Sequence, residues 1–94
     1  MYERHLLLKC HRAEDRDALE ARTRAALAPG APNLWLGRPA DAAAARSWDL
    51  ALRVAFATAA ELEAWCASPA VAAWQAEVAH PAAVVLKAWS FTAA

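Results

Sequence analysis

From Ser47 to Phe56 apolar and polar or small residues alternate. Trp48, Leu50, Leu52, Val54 and Phe56 interleave with Asp49, Ala51, Arg53 and Ala55. A period of two with one heavily apolar side predicts a strand over 47–57. The period changes at Thr58. Thr58 and Glu61 are spaced as a capping box, and Leu62, Trp65 and Cys66 follow as an apolar stripe, which predicts a helix over 59–66. Ser68-Pro69 then restarts a helix, because Ser suits the N-cap and Pro the first helical turn. This second helix, 69–79, carries Val71, Trp74, Gln75 and Val78, and Pro81 is expected to end it.

The same reading extends over the rest of the chain. Residues 2–10, YERHLLLKC, form a first strand, and 12–28 form a helix whose thin apolar side is Leu19, Ala26 and Leu27. Pro29-Gly30-Ala31-Pro32 stops that helix. A short strand over 33–37 centres on Leu34-Trp35-Leu36, and 38–46 is a connection with room for a helical turn. Residues 82–91 make the last strand. The order β-α-β-β-α-β is the split βαβ pattern of a ferredoxin-like α+β fold with a four-stranded antiparallel sheet, in one domain spanning 1–94.

Helices cover one face of such a sheet, so each strand must assign its residues to two environments. The wholly apolar sets should face the helices: Leu6, Leu8 and Cys10; Trp48, Leu50, Leu52, Val54 and Phe56; and Val84 and Leu86 with Ala88 and Ser90. The opposite face then collects His5, Leu7 and Lys9 from strand 1 and Asp49 and Arg53 from strand 3. Strand 4 adds Val85, Lys87, Trp89 and Phe91. Aromatics mixed with charges of both signs suit a self-complementary interface better than free surface. A sheet-to-sheet homodimer is expected, with His5, Leu7, Lys9, Asp49, Arg53, Lys87, Trp89 and Phe91 at its contact.

Composition sharpens that expectation. Sixty per cent of the 94 residues are hydrophobic, five of them Trp, which leaves apolar surface to be covered. Ten basic and ten acidic residues cancel, and no basic run exists, so nucleic acid is not an expected partner. No apolar run approaches membrane-spanning length and nothing resembles a signal peptide; a cytoplasmic protein is expected. Cys10 and Cys66 lie in predicted elements with no metal-ligand spacing, and read as buried free thiols. No metal site and no cofactor are expected.

With these elements in place, the stretch from Ser47 to Phe91 resembles the stress-responsive dimeric α/β-barrel (Dabb) proteins. The resemblance rests on Ser-Trp-Asp-Leu-Ala-Leu opening strand 3, and on Glu61-Leu62-Glu63-Ala64-Trp65 followed by Ser68-Pro69-Ala70. His80-Pro81 before the last strand completes it. It implies a homodimer whose two sheets close into a barrel, and a stress-related role. Some plant members are polyketide cyclases that place a Tyr and a His around the helix break. This chain has Trp65 and Val71 there. An indole N–H does not titrate usefully and a valine carries no proton, so the cyclase chemistry does not transfer.

The pocket implied between helices and sheet would be lined by Trp48, Leu50, Leu52, Trp65, Val71, Trp74 and Leu86, with Ala18, Ala25 and Ala26 leaving room for a ligand. The expected function is to bind a small hydrophobic molecule, or to serve a stress-related role, without chemistry of its own. The alternative is a cofactor-independent enzyme, polyketide cyclase-like or a small monooxygenase, using the same pocket. His5 is its weak catalytic candidate, since a histidine in an apolar site could act as a base.

Overall fold

The computed structural model describes residues 1–94. Its elements are β1 (Tyr2–Cys10), α1 (Arg16–Leu27), β2 (Trp35–Gly37), α2 (Ala42–Ser47), β3 (Leu50–Phe56), α3 (Ala59–Cys66), α4 (Pro69–Trp74) and β4 (Ala83–Thr92). The strands pair antiparallel throughout in the order β2-β3-β1-β4, the ferredoxin-like arrangement. Helices α1, α3 and α4 pack on one face, while the short α2 borders the other face near Leu7 and Ala51. Between α1, α3, α4 and the sheet lie Leu6, Leu8 and Cys10 of β1 and Leu50, Leu52 and Val54 of β3. Leu19 and Leu27 of α1 and Trp65, Val71 and Trp74 of the second helical unit close the core.

The predicted starts of α3 and α4 hold in detail, whereas α1 begins at Arg16, after a 3₁₀ turn over Ala13–Asp15, rather than at residue 12. Thr58 Oγ1 accepts from Glu61 N–H at 3.1 Å, and Glu61 Oε2 accepts from Ala57 N–H at 3.3 Å. Ser68 Oγ accepts from Val71 N–H at the start of α4. Pro81 does not end the second helix where expected. Past Trp74 the backbone widens into a π-helical turn over Gln75–Ala79 and stays helical through Ala82. Proline has no N–H for the carbonyl of Glu77 four residues earlier, and Arg22 of α1 donates to that oxygen instead, at 3.4 Å.

Three residues depart from the alternation, each for a reason outside its own strand. Trp48 was expected among the core aromatics and Asp49 on the exposed face; their places are exchanged. The extended run begins only at Leu50, because Trp48 caps α2, its N–H donating to Ala44 O at 2.8 Å. The chain then turns so that the Asp49 side chain is fully buried. Val84, assigned to the helix side, is exposed. The β1–β4 register shifts between Lys9, opposite Val85, and Cys10, opposite Ala83, so Val84 has no partner in the ladder and Ala83 packs on the core instead.

Candidate functional site

An open cleft of about 520 Å³ lies at the break between α3 and α4. Its walls are Leu27 and Gly30 at the end of α1, Phe56 at the end of β3, Glu61, Ala64 and Trp65 on α3, and Ser68 and Ala70 beyond the break. Phe56 and Trp65 form its aromatic floor, their ring centroids 6.1 Å apart and tilted by 42°. The cleft exists because Ser68-Pro69 redirects the helix while Ala64 and Ala70 flank the bend with single methyl groups.

The carboxylate and the hydroxyl that line the cleft already have structural partners. Glu61 is held by the capping box, and Ser68 Oγ donates to Trp65 O at 2.7 Å while accepting from Val71 N–H. What remains for a ligand is an apolar, aromatic surface with two fixed oxygens at its rim.

Of the predicted pocket residues only Trp65 lines this cleft. Leu50, Leu52, Val71 and Trp74 are packed into the core, and Leu86 is partly buried against it. Trp74 cannot turn toward a ligand, since its Nε1–H donates to Thr23 Oγ1 at 2.9 Å in a buried pair. Trp48 is on the other side of the sheet, in a groove of about 190 Å³ with Leu7, Trp35, Gly37 and Ala51. The room comes from Ala64 and Ala70 rather than from Ala18, Ala25 and Ala26. Proximity to Ser68-Pro69 was the signal that could have found these residues: small side chains on either side of a helix break leave space that neither helix fills.

His5 also lies away from the cleft, on the uncovered face. Its Nε2 is 3.2 Å from Glu3 Oε1 and its ring meets Phe91 edge-on, centroids 5.1 Å apart. Around it the uncovered face carries Leu7, Lys9, Arg53, Lys87, Trp89 and Phe91, with Arg53 stacked over Trp35 at 5.4 Å and 3.7 Å from Glu3. Exposed large apolar side chains on this face are Trp35, Val85, Trp89 and Phe91.

Asp49 is instead a structural anchor. Its Oδ2 accepts from Cys10 N–H at 2.8 Å and lies 3.4 Å from Lys9 Nζ, while Oδ1 accepts from Arg16 at 2.7 and 3.2 Å. Lys9 also donates to Ala45 O of α2. One carboxylate thus ties β1, β3 and α1 together, and Lys9 extends the tie to α2. Burial alone would raise the Asp49 carboxyl; the Cys10 amide, Arg16 and Lys9 together reverse this and hold it below the ordinary carboxylate range. Burial, with Asp49 and Asp15 nearby, pushes the Cys10 thiol up and keeps it protonated. Cys66, expected to be buried, is exposed at the end of α3.

The site and the sheet define a ferredoxin-like α+β protein with an apolar cleft on the helix side. Its fold is that of a Dabb family protein from Mesorhizobium loti, with a TM-score of 0.82 at 10% identity, covering 99% of this chain and 96% of that one. An Arabidopsis thaliana protein is similar at a TM-score of 0.74 and 11% identity, covering 100% and 96%. A dimeric ferredoxin-like protein of unknown function from Thermobifida fusca is similar at 0.68 and 20% identity, covering 99% and 92%. No protein-family model and no curated protein sequence matches the chain.

Proposed function

We propose that the chain is a Dabb-type homodimer that binds a small hydrophobic molecule in the cleft at the α3–α4 break and does no acid-base chemistry there. The observation that carries this reading is the cleft itself: about 520 Å³ of mostly apolar space whose carboxylate and hydroxyl side chains are already engaged at helix ends. A pocket of this size takes a ligand of modest molecular weight, held by apolar burial and aromatic contact. His5, the catalytic candidate of the alternative enzymatic reading, has the sheet between it and the cleft. The dimer is supported by the exposed aromatic face and by same-fold proteins that are themselves dimeric. We place this work in the cytoplasm and in the stress-related role that the family resemblance implies.

Titration with 8-anilino-1-naphthalenesulfonate, an apolar anionic fluorophore, tests the reading. Wild-type protein should bind it saturably, and Ala64→Trp, which fills the cleft from α3, should weaken binding at least tenfold while the fold persists by circular dichroism. Equal binding by the filled variant would remove the cleft as the ligand site.

A further inference from the structure

The cleft at the α3–α4 break carries one formal charge, and it is negative. Glu61 is the charged side chain of its lining, and no basic residue shares the lining with it. Glu61 Oε2 accepts from the Ala57 N–H at 3.3 Å, and no lysine, arginine or histidine of the chain pairs with this carboxylate. Other carboxylates are neutralised from within: Asp49 lies between Arg16 and Lys9, and Glu20 is bound by Arg38. Glu61 thus keeps its second oxygen, Oε1, for a group that comes from outside.

The surroundings of Glu61 favour the same sign of ligand charge. Glu61, Ala64 and Trp65 stand at i, i+3 and i+4 on α3, so carboxylate and indole share one face a turn apart. Ala64 puts only a methyl group between them and the open space. The Phe56 ring completes the floor, tilted by 42° to Trp65 at 6.1 Å. Aromatic faces carry negative potential and attract cations, most strongly at Trp. The Trp65 indole also brings an N–H donor, but that donor is neutral and leaves the carboxylate as the cleft's charge.

We infer that the ligand of this cleft is a hydrophobic cation, an ammonium group on an aryl or alkyl body. Its ammonium sits between the Glu61 carboxylate and the rings of Trp65 and Phe56, and its apolar body lies along Leu27, Ala64 and Ala70. A hydrophobic carboxylic acid of the same size sets like charge against Glu61 and is selected against. The inference rests on the ligand cleft of the preceding section and adds the charge of what the cleft takes.

Three probes that share one ring system and differ in charge test it: 1-naphthylmethylammonium, 1-naphthylmethanol and 1-naphthylacetate, each titrated calorimetrically at neutral pH. Wild-type protein should bind the ammonium about tenfold more tightly than the acetate, with the alcohol between them, since an ion pair at an open rim and a cation over a ring each give a few-fold. Glu61→Gln keeps a side-chain oxygen for the Ala57 N–H, and so keeps the helix start. In that variant the ratio should fall to about threefold, the part left to the rings. The same variant should bind 8-anilino-1-naphthalenesulfonate about twofold more tightly, because its sulfonate no longer meets a carboxylate. Raising sodium chloride to about 0.5 M should shrink the wild-type ratio without any substitution. Acetate binding as tightly as ammonium overturns the inference, and so does a ratio that Glu61→Gln and salt leave unchanged. Both of these results leave the cleft in place as a ligand site. A wild-type protein that binds none of the three probes, or an Ala64→Trp variant that binds them all undiminished, removes the cleft itself and the inference with it.

Discussion

The two faces of the sheet are built from the same four strands and obey different rules. On the helix side Leu6, Leu8, Leu50, Leu52 and Val54 are buried, and Thr23, the polar side chain among them, is paired with Trp74. On the other side aromatic rings stand exposed beside Glu3, His5, Arg53 and Lys87. A core must bury apolar area without orphaning a polar group, so it tolerates few residue types. A face proposed to be covered by a second copy must also remain soluble while uncovered, and charge set among the rings suits that. Asp49 sits where the two regimes meet, at the end of the sheet, with a carboxylate that would be intolerable in the core without its three donors.

Substitutions separate the two faces most sharply at their tryptophans. Trp74→Ala should destabilise the chain by roughly 3–5 kcal/mol in urea unfolding, through lost burial and the cavity left behind. Trp89→Ala should cost the single chain only about 0.5 kcal/mol, its effect appearing in self-association. Comparable costs at both positions would erase the distinction between the faces.

Asp49 comes next in size. Asp49→Ala should cost roughly 3 kcal/mol, since it leaves the Cys10 N–H unpaired and two cations without their counter-charge. The pH dependence has a definite sign. The folded carboxyl is held below its ordinary value. Its stabilisation is therefore present above the unfolded pKa of about 3.9 and is lost as pH falls through the lower folded value. Acid unfolding of wild type and of Asp49→Asn should converge at low pH and diverge above about pH 4. Parallel curves would show that the carboxylate does not anchor the three elements.

Smaller effects sharpen the helix side. Thr23→Val leaves the buried Trp74 N–H without an acceptor and should cost about 1–2 kcal/mol, read from the same unfolding curves. Thr58→Ala removes one half of the capping box and should cost about 1 kcal/mol. A neutral outcome at Thr58 would mean that packing of Leu62 and Trp65, rather than the cap, fixes where α3 begins.

Much of this division was legible in the sequence wherever a local period decides. Alternation in Leu50–Phe56, and the wholly apolar set Leu6, Leu8 and Cys10 in β1, mark the buried residues, and Thr58-x-x-Glu61 and Ser68-Pro69 mark the helix starts. Legibility ended where a distant partner decides. Asp49 turns inward because Cys10, Arg16 and Lys9 offer donors from other elements, and Trp48 is displaced with it. Val84 loses its place to a register shift with β1. Helix α2, which begins in the connection at 38–46 and runs to Ser47, depends on Asp41 accepting from Ala44 N–H at 2.8 Å, a cap hidden in a run of alanines. The cleft escaped for a related reason: the core claimed the large residues expected to line it, and small ones at the helix break opened it.

We propose that a second copy of the chain covers the exposed face of the sheet. Sedimentation equilibrium of the wild-type protein from nanomolar to high micromolar concentration tests it most directly. A species of twice the chain mass should dominate at micromolar concentration, and Trp89→Arg should convert it to a folded single chain. A wild-type protein that remains a single chain across the whole series would contradict it.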